Sequence, residues 1–180
     1  MSFLKDLKTR FLTKGKPMEP SWEEKALEKI QSPQNLLSLL KNLRKEKKTI
    51  ATLNGSFDLL HAGHLHMIYE ASKQADILVM ALNTDDSIQK YKGKGRPIVP
   101  LLQRLQIMAA LSFVDYVTYF SETDPIQLLD LIKPDVHVNG SEYGENCIEA
   151  DIVRKNGGRI HIVRLKPGLS TSEIIKKIKR

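Results

Sequence analysis

Short apolar runs alternate with longer amphipathic segments along most of this chain. The runs are rich in β-branched residues, which is typical of buried parallel strands. They predict the strands Ile50–Leu53, Ile77–Leu82, Tyr116–Phe120, Val136–Val138 and Ile160–Val163. The amphipathic segments predict the helices Leu65–Gln74, Leu101–Leu111, Ile126–Ile132, Ile148–Lys155 and Ser172–Lys179. This alternation predicts an α/β fold, a Rossmann-like doubly wound parallel five-stranded sheet with helices on both faces.

Helical patterns also precede the first strand. Apolar residues recur on one face of residues 1–16 among several basic residues, which predicts a short amphipathic helix. Such a helix packs on its own domain or, alternatively, on a membrane surface or a partner subunit. Ser21 and Glu24 are spaced as a capping box for a helix that runs to Ile30. Pro33 suits the first position of the next helix, whose leucines predict a buried side.

The composition indicates one globular domain with an anionic partner. The chain has 180 residues and a net charge of +7, which suggests phosphorylated small molecules, a membrane surface or nucleic acid. We expect no nucleic acid, because the sequence has no arginine-rich tract and no recognisable nucleic-acid module. No apolar run reaches the roughly 18 residues that a membrane span needs. Cys147 is the single cysteine, so we expect no internal disulfide and a cytoplasmic protein.

Two histidines and two glycines lie in the turn after the first predicted strand. The turn reads Asn54-Gly55-Ser56-Phe57-Asp58-Leu59-Leu60-His61-Ala62-Gly63-His64 and leads into a helix. The start of a helix presents free backbone N–H groups and a positive dipole, so it favours a bound phosphate. Gly55 and Gly63 let the backbone approach a bulky anion closely. The spacing of His61 and His64 lets both imidazoles reach one phosphate group.

Three further groups of polar residues follow predicted strands. They are Asn83–Asp86 with the basic segment Lys90–Pro97, Asn139–Tyr143, and Gly168–Ser172 before the last helix. Ligands of doubly wound folds bind beyond the carboxyl ends of the strands, so we expect these loops to converge with the histidine turn. The basic segment is interpreted as a mobile clamp on phosphate. His137 and His161 lie inside apolar runs and are interpreted as structural, and we assign no metal ligand to the protein.

These residues resemble the nucleotidyltransferase superfamily in its cytidylyltransferase-like branch. His61-Ala62-Gly63-His64 matches the signature His-x-Gly-His. The Asn54–Leu60 lead-in, Lys92-Gly93 with Arg96-Pro97, and Ser170–Ser172 are most similar to bacterial heptose-1-phosphate adenylyltransferases. Ser56, Asn139 and Ser172 depart from that pattern, where cysteine, lysine and threonine are usual. The resemblance starts near Lys29, so we expect residues 1–28 to form an N-terminal helical extension and 29–180 the nucleotidyltransferase domain.

The resemblance implies transfer of AMP from ATP to a sugar 1-phosphate with release of pyrophosphate. The implied acceptor is heptose 1-phosphate, and the product ADP-heptose is a precursor of the lipopolysaccharide core. The resemblance implies catalytic roles for His61, His64 and Lys92. It implies nucleotide binding by Asn54, Gly55, Ser56, Phe57, His61, Gly63, His64, Asn139, Gly140, Ser170, Thr171 and Ser172. Sugar-phosphate binding is expected from Lys92, Arg96, Asp58, Asn83 and Asp85.

The resemblance also implies Mg²⁺, bound through the triphosphate. A homodimer is an open alternative to a monomer, since relatives are often dimers. Two other functions remain open. The first is a cytidylyltransferase that acts on glycerol 3-phosphate or a phospho-alcohol, and the second is a non-catalytic nucleotide-binding protein of the same fold.

Overall fold

A computed structural model describes residues 20–165, 168 and 170–178. The five strands of this part of the chain are β1 (Ile50–Gly55), β2 (Ile77–Asn83), β3 (Tyr116–Phe120), β4 (Val136–Gly140) and β5 (Arg159–Val163). All neighbouring strands are parallel, in the order β3-β2-β1-β4-β5. The predicted helix over residues 1–16, and so most of the predicted N-terminal extension, lies outside the described residues.

Helices connect the strands and precede the first one. They are α1 (Trp22–Lys29), α2 (Pro33–Lys45), α3 (Ala62–Ser72), α4 (Asp85–Lys92), α5 (Leu101–Ala109), α6 (Ile126–Ile132), α7 (Ala150–Lys155) and α8 (Thr171–Ile178). The predicted capping box of α1 is confirmed, since Ser21 Oγ accepts from Glu24 N and the Glu24 carboxylate accepts from Ser21 N. Among the residues described, no helix is long and apolar enough to cross a membrane.

Both faces of the sheet are covered by helices, which confirms the predicted doubly wound fold. Successive residues of a strand point to opposite faces. Accordingly, Ala51 and Leu53 of β1 belong to one apolar cluster, and Ile50 belongs to another. The first cluster includes buried side chains of α1, α3 and α5. The second includes those of α2 and α6, on the opposite face.

The direction of winding changes at the middle strand. From β1 the chain proceeds outward to β2 and β3, then returns to place β4 and β5 on the other side of β1. The connections on the two sides therefore diverge between β1 and β4, which opens a crevice at the carboxyl ends of these strands. The functional residues predicted from the sequence are concentrated at that edge.

The observed elements differ from the predicted ones mainly at this same edge. Strands β1, β2 and β4 continue to Gly55, Asn83 and Gly140, so these residues end strands and do not lie in loops. Helix α3 begins at Ala62, three residues earlier than predicted. The sequence predicted polar segments at Asn83–Asp86 and Lys90–Pro97 and no helix there, whereas residues 85–92 form α4.

Candidate active site

A cleft of about 300 Å³ lies at the carboxyl ends of β1 and β4. Its walls come from the turn after β1, the end of α4, the loop after β4 and the start of α8. Every residue predicted to bind nucleotide lines this cleft except Gly140. Gly140 lies beneath the Glu142 side chain, and a Cβ on it would come within 2.1 Å of a Glu142 carboxylate oxygen. The structure therefore brings the separate polar loops together, as the sequence predicts.

His61 is both the N-cap of α3 and part of the cleft wall. Its Nδ1 accepts hydrogen bonds from the backbone N–H groups of Gly63, at 3.1 Å, and His64, at 3.3 Å. An imidazole nitrogen that accepts carries no proton, so the proton of the neutral ring lies on Nε2. The cap thus holds His61 as a hydrogen-bond donor at the start of the helix, where an anion is favoured.

The His64 ring stacks on that of His61. The ring centroids are 3.8 Å apart and the planes differ by 20°. Burial lowers the pKa of His64 to about 4, and the charges of His61 and Lys92 contribute in the same direction. His64 is therefore a neutral imidazole at pH 7. Its Nδ1 is buried and has no hydrogen-bond partner among the described residues, so a ring nitrogen remains for a ligand or water.

Lys92 extends into the cleft from the last turn of α4. Its Nζ lies 3.0 Å from Ser56 Oγ in the turn after β1. Burial lowers its pKa, and the charge of Arg96 lowers it further. Gly93 ends the helix with a φ of 86°, a left-handed conformation that favours glycine. Among the described residues that line the cleft, Lys92 is the only lysine or arginine.

The start of α8 is attached to the histidine turn. Thr171 Oγ1 donates to the backbone carbonyl of Asp58 at 2.8 Å. Ser170 Oγ accepts from the backbone N–H of Glu173, so it caps the helix. These residues and Ser172 line the cleft opposite the start of α3. Two helix N-termini thus border one cavity, which is an arrangement suited to a polyphosphate.

Asp58 and Arg96 contact each other, and neither lines the cleft. Arg96 Nε donates to Asp58 Oδ2 at 2.6 Å, and the backbone N–H groups of Ile98 and Val99 donate to the same carboxylate. Burial raises the pKa of Asp58, but the N–H groups of Val99 and Ile98 and the Arg96 side chain lower it more, so it lies below its usual value. Asp58 thus fastens the segment after α4 to the histidine turn. Its contact with substrate stays a prediction.

Asp85 likewise has partners within the protein. Its Oδ1 accepts from the backbone N–H of Leu101 and from Arg104 Nη2. Asp85 lies outside the cleft lining and holds the start of α5. Its role in substrate binding stays a prediction. Asn83 was also predicted to bind substrate. It lines a second chamber, which adjoins the cleft.

Arg104 was not assigned a role from the sequence, yet it joins three segments of the site. Its side chain is fully buried. Nη1 donates to the Ser56 carbonyl, Nη2 to the Asn83 carbonyl and to Asp85, and Nε to the Val99 carbonyl. A guanidinium has five donors in a fixed plane, so it fixes the relative positions of these carbonyl groups.

A second chamber of about 230 Å³ adjoins the cleft. The two share a wall that consists of Asn54, Gly55, Ser56, Lys92, Asn139 and Tyr143. Asn139 is buried, and its Nδ2 donates to Glu149 Oε2 at 3.2 Å. The sequence pattern singled out neither Glu149 nor Asp124, which lies on the opposite side of β1 in the loop after β3. The loops after β3 and β4 thus contribute a further polar surface.

His137 has the structural role predicted for it. It is buried in β4, and its Nδ1 lies 2.8 Å from Thr52 Oγ1 of β1. In the part of the chain that the structure describes, no group of three or more His, Cys, Asp or Glu side chains is placed to hold a metal ion.

Similarity to known proteins extends over most of the chain. The family model described as cytidylyltransferase-like matches residues 52–177. The bifunctional protein HldE of Syntrophotalea carbinolica is 40% identical over 151 residues, which cover 83% of this chain and 31% of that protein. The bifunctional protein HldE of Pseudomonas entomophila is 39% identical over 159 residues, 88% of this chain and 34% of that protein. The chain therefore spans about a third of the length of these relatives.

Two solved structures share the fold. The lipopolysaccharide core biosynthesis protein from Thermoplasma volcanium superposes with a TM-score of 0.53 at 29% identity, covering 66% of this chain and 97% of that one. The pantoate-beta-alanine ligase from Francisella tularensis superposes with a TM-score of 0.56 at 17% identity, covering 83% of this chain and 76% of that one. The second likeness shows the fold alone.

Proposed function

The chain belongs to the cytidylyltransferase-like family of nucleotidyltransferases, and from this membership we propose that it transfers AMP from ATP to heptose 1-phosphate. The products are ADP-heptose and pyrophosphate. The observation that carries the proposal is the pair of stacked, neutral histidines at the start of α3, which line the same cleft as Lys92. That arrangement supplies hydrogen-bond donors and a cation to phosphate groups.

The proposed reaction needs no general base. An oxygen of the acceptor phosphate attacks the α-phosphorus in line, a P–O bond to the acceptor forms, and the bond to the leaving pyrophosphate breaks. A phosphate monoester has a second pKa of about 6, so the attacking oxygen is already ionised at neutral pH. Catalysis then consists of positioning the two phosphates and stabilising the charge that develops between them.

Each group in the cleft has a place in that scheme. His64, as a neutral imidazole, donates a hydrogen bond to an α-phosphate oxygen as negative charge grows there. Lys92 lies at the wall between the two chambers and neutralises both the α-phosphate and the acceptor phosphate. His61 orients the triphosphate, and the Ser170–Ser172 helix start receives the leaving pyrophosphate.

Mg²⁺ belongs to the proposal through the nucleotide. The described residues supply no cluster of ligands for the ion, so its ligands would be triphosphate oxygens and water. When bound, it neutralises part of the charge of the triphosphate. The residues of the chain then only need to hold the complex in place.

The choice of acceptor and nucleotide rests on sequence. The Asn54–Leu60 lead-in, Lys92-Gly93 with Arg96-Pro97 and Ser170–Ser172 together are most similar to heptose-1-phosphate adenylyltransferases. Relatives named HldE and a solved structure named for lipopolysaccharide core biosynthesis support the same assignment. A cytoplasmic location and a homodimer stay predictions.

Pyrophosphate release across a small panel tests the proposal. The purified chain is incubated with ATP or CTP and with heptose 1-phosphate, another sugar 1-phosphate, glycerol 3-phosphate or no acceptor. We expect release only when ATP and the heptose phosphate are both present. Release with CTP and glycerol 3-phosphate would support the cytidylyltransferase alternative. Nucleotide binding without release from any pair would support the non-catalytic alternative.

A further inference from the structure

The second chamber has a basic side chain at one wall and acidic side chains at the others. Lys92 lies at the wall it shares with the nucleotide cleft, and the carboxylates of Asp124 and Glu149 line its other parts. Neither carboxylate forms an ion pair with a cation among the described residues. A phosphate is attracted to Lys92 and repelled by the two carboxylates. A phosphorylated ligand in this chamber therefore has its phosphate at the shared wall and its uncharged part between the carboxylates.

Both carboxylates keep free capacity to accept hydrogen bonds. Asp124 Oδ1 accepts from the backbone N–H of Ile126 at 3.1 Å, and Glu149 Oε2 accepts from Asn139 Nδ2 at 3.2 Å. An ionised carboxylate has about four lone-pair positions, so each retains room for a hydroxyl donor. Residue Glu149 is only 6% exposed, so a hydroxyl that reaches it replaces little water. Hydrogen bonds to such a group are stronger than those at an open surface.

The remaining polar groups favour hydroxyls over an ammonium ion. Asn83 and Asn139 are nearly buried amides that line the chamber, and Thr123 adds a hydroxyl. Amides and hydroxyls donate as well as accept, and a sugar hydroxyl satisfies both, whereas an ammonium group only donates. At the shared wall, Asn54 Oδ1 is buried and has no partner within the part of the chain that is described. Such an atom points to a polar ligand at the junction.

We infer that this second chamber receives the polyhydroxylated part of the acceptor, with Asp124 and Glu149 accepting hydrogen bonds from its hydroxyl groups. This rests on the proposed function and adds the specificity-determining residues to it. The loops after β3 and β4 then select a sugar phosphate, while the histidine turn and α8 bind the nucleotide. Glycerol 3-phosphate offers fewer hydroxyls to the two carboxylates and is discriminated against.

The test is a steady-state comparison of Asp124→Asn and Glu149→Gln with the wild type. The KM for heptose 1-phosphate is measured at saturating ATP, and the KM for ATP at saturating acceptor. A lost hydrogen bond to a charged group predicts a roughly 10- to 100-fold higher acceptor KM, with the ATP KM unchanged. The matched controls Asp151→Asn and Glu145→Gln alter exposed carboxylates outside both chambers and should behave like the wild type.

The sign of the change distinguishes the inference from simple electrostatics. If the carboxylates only lie near an anionic ligand, their neutralisation removes repulsion and lowers the acceptor KM. An unchanged or lower acceptor KM in folded Asp124→Asn would overturn the inference, even if Glu149→Gln fails to fold. Wild-type turnover of the heptose phosphate in the same experiment would leave the proposed function standing. No wild-type turnover of any sugar phosphate would overturn both.

Discussion

The imidazole of His61 lies stacked on that of His64, with 3.8 Å between the ring centroids. Two charged rings at this distance would repel each other, and burial lowers the pKa of each. The pair is therefore uncharged at neutral pH and acts through hydrogen bonds. Among the described residues of the cleft, positive charge therefore comes from Lys92 and from the helix N-termini.

Removal of the His64 side chain should affect turnover far more than nucleotide binding. The hydrogen bond of His64 strengthens as charge develops on the α-phosphate, so His64→Ala should lower kcat by about 10²-fold or more. The Kd for ATP, measured by calorimetry, should change little. His66→Ala, on the same helix but outside the cleft lining, is the matched control. A loss confined to KM would show that His64 serves binding alone.

Lys92 and Lys94 should differ sharply, although only one residue separates them. Lys92 lines both chambers and contacts Ser56, whereas Lys94 is exposed and lines neither. We expect Lys92→Ala to lower kcat/KM by about 10²-fold or more and Lys94→Ala to change it only slightly. The comparison is made at one ionic strength. Equal losses in both variants would indicate diffuse electrostatic attraction by the basic segment.

Arg104 should contribute strongly to stability. In Arg104→Leu the carbonyl groups of Ser56 and Asn83 lose their buried donor, which predicts a loss of about 3 kcal/mol in the free energy of unfolding. Urea denaturation followed by circular dichroism measures it. The control Arg154→Leu removes an exposed arginine with a single hydrogen bond to the Glu145 carbonyl and should cost about 1 kcal/mol or less. If the free energy of unfolding fell by a similar amount in the two variants, Arg104 would not hold the three segments of the site together.

Stability should fall in mild acid because buried histidines resist protonation. Burial lowers the pKa of His137 to about 4, and the ordinary value is about 6.5. Between these values the unfolded chain binds more protons, so the free energy of unfolding decreases as pH falls. His137 alone predicts a loss of about 3 kcal/mol between pH 6.5 and pH 4. His61, His64 and His161 add to it, since their pKa values are lowered too.

The variant His137→Gln isolates that contribution. It removes the titrating group and keeps a polar side chain near Thr52. Unfolding measured at several pH values should show a shallower slope for the variant than for the wild type over this range. Parallel slopes would mean that His137 does not titrate differently in the folded and unfolded protein.

The pattern of apolar residues along the sequence was sufficient to predict the strands and most of the helices. The observed bounds of β3 and α6 are those predicted, because their apolar runs are short and sharply bounded. Helix α4 was not predicted, because most of its residues are polar and only Ser87 and Ile88 are buried. The sequence feature that indicates this helix is its N-terminus. The side chain of Thr84 accepts a hydrogen bond from Ser87 N as the N-cap, and two aspartates occupy the first turn.

The position of the histidine turn in the cleft was predictable because its residues are contiguous and directly follow the first strand. The roles of Asp58 and Arg104 were not predictable, since their partners lie up to 41 and 48 residues away in the sequence. From the sequence alone, Asp58 and Asp85 look like unpaired carboxylates among polar residues. Their hydrogen-bond donors come from other segments and are identified only in the folded structure. Glu149 lies beside a helix start that gives no sign of its burial.

Competition between nucleotides tests directly whether the chain transfers AMP from ATP to heptose 1-phosphate. Equal concentrations of ATP and CTP are supplied with isotopically labelled heptose 1-phosphate and Mg²⁺, and the products are identified by mass. We expect labelled ADP-heptose to predominate and His64→Ala to form almost none of it. A predominance of CDP-linked sugar, or no nucleotide-linked heptose from either nucleotide, would contradict the account.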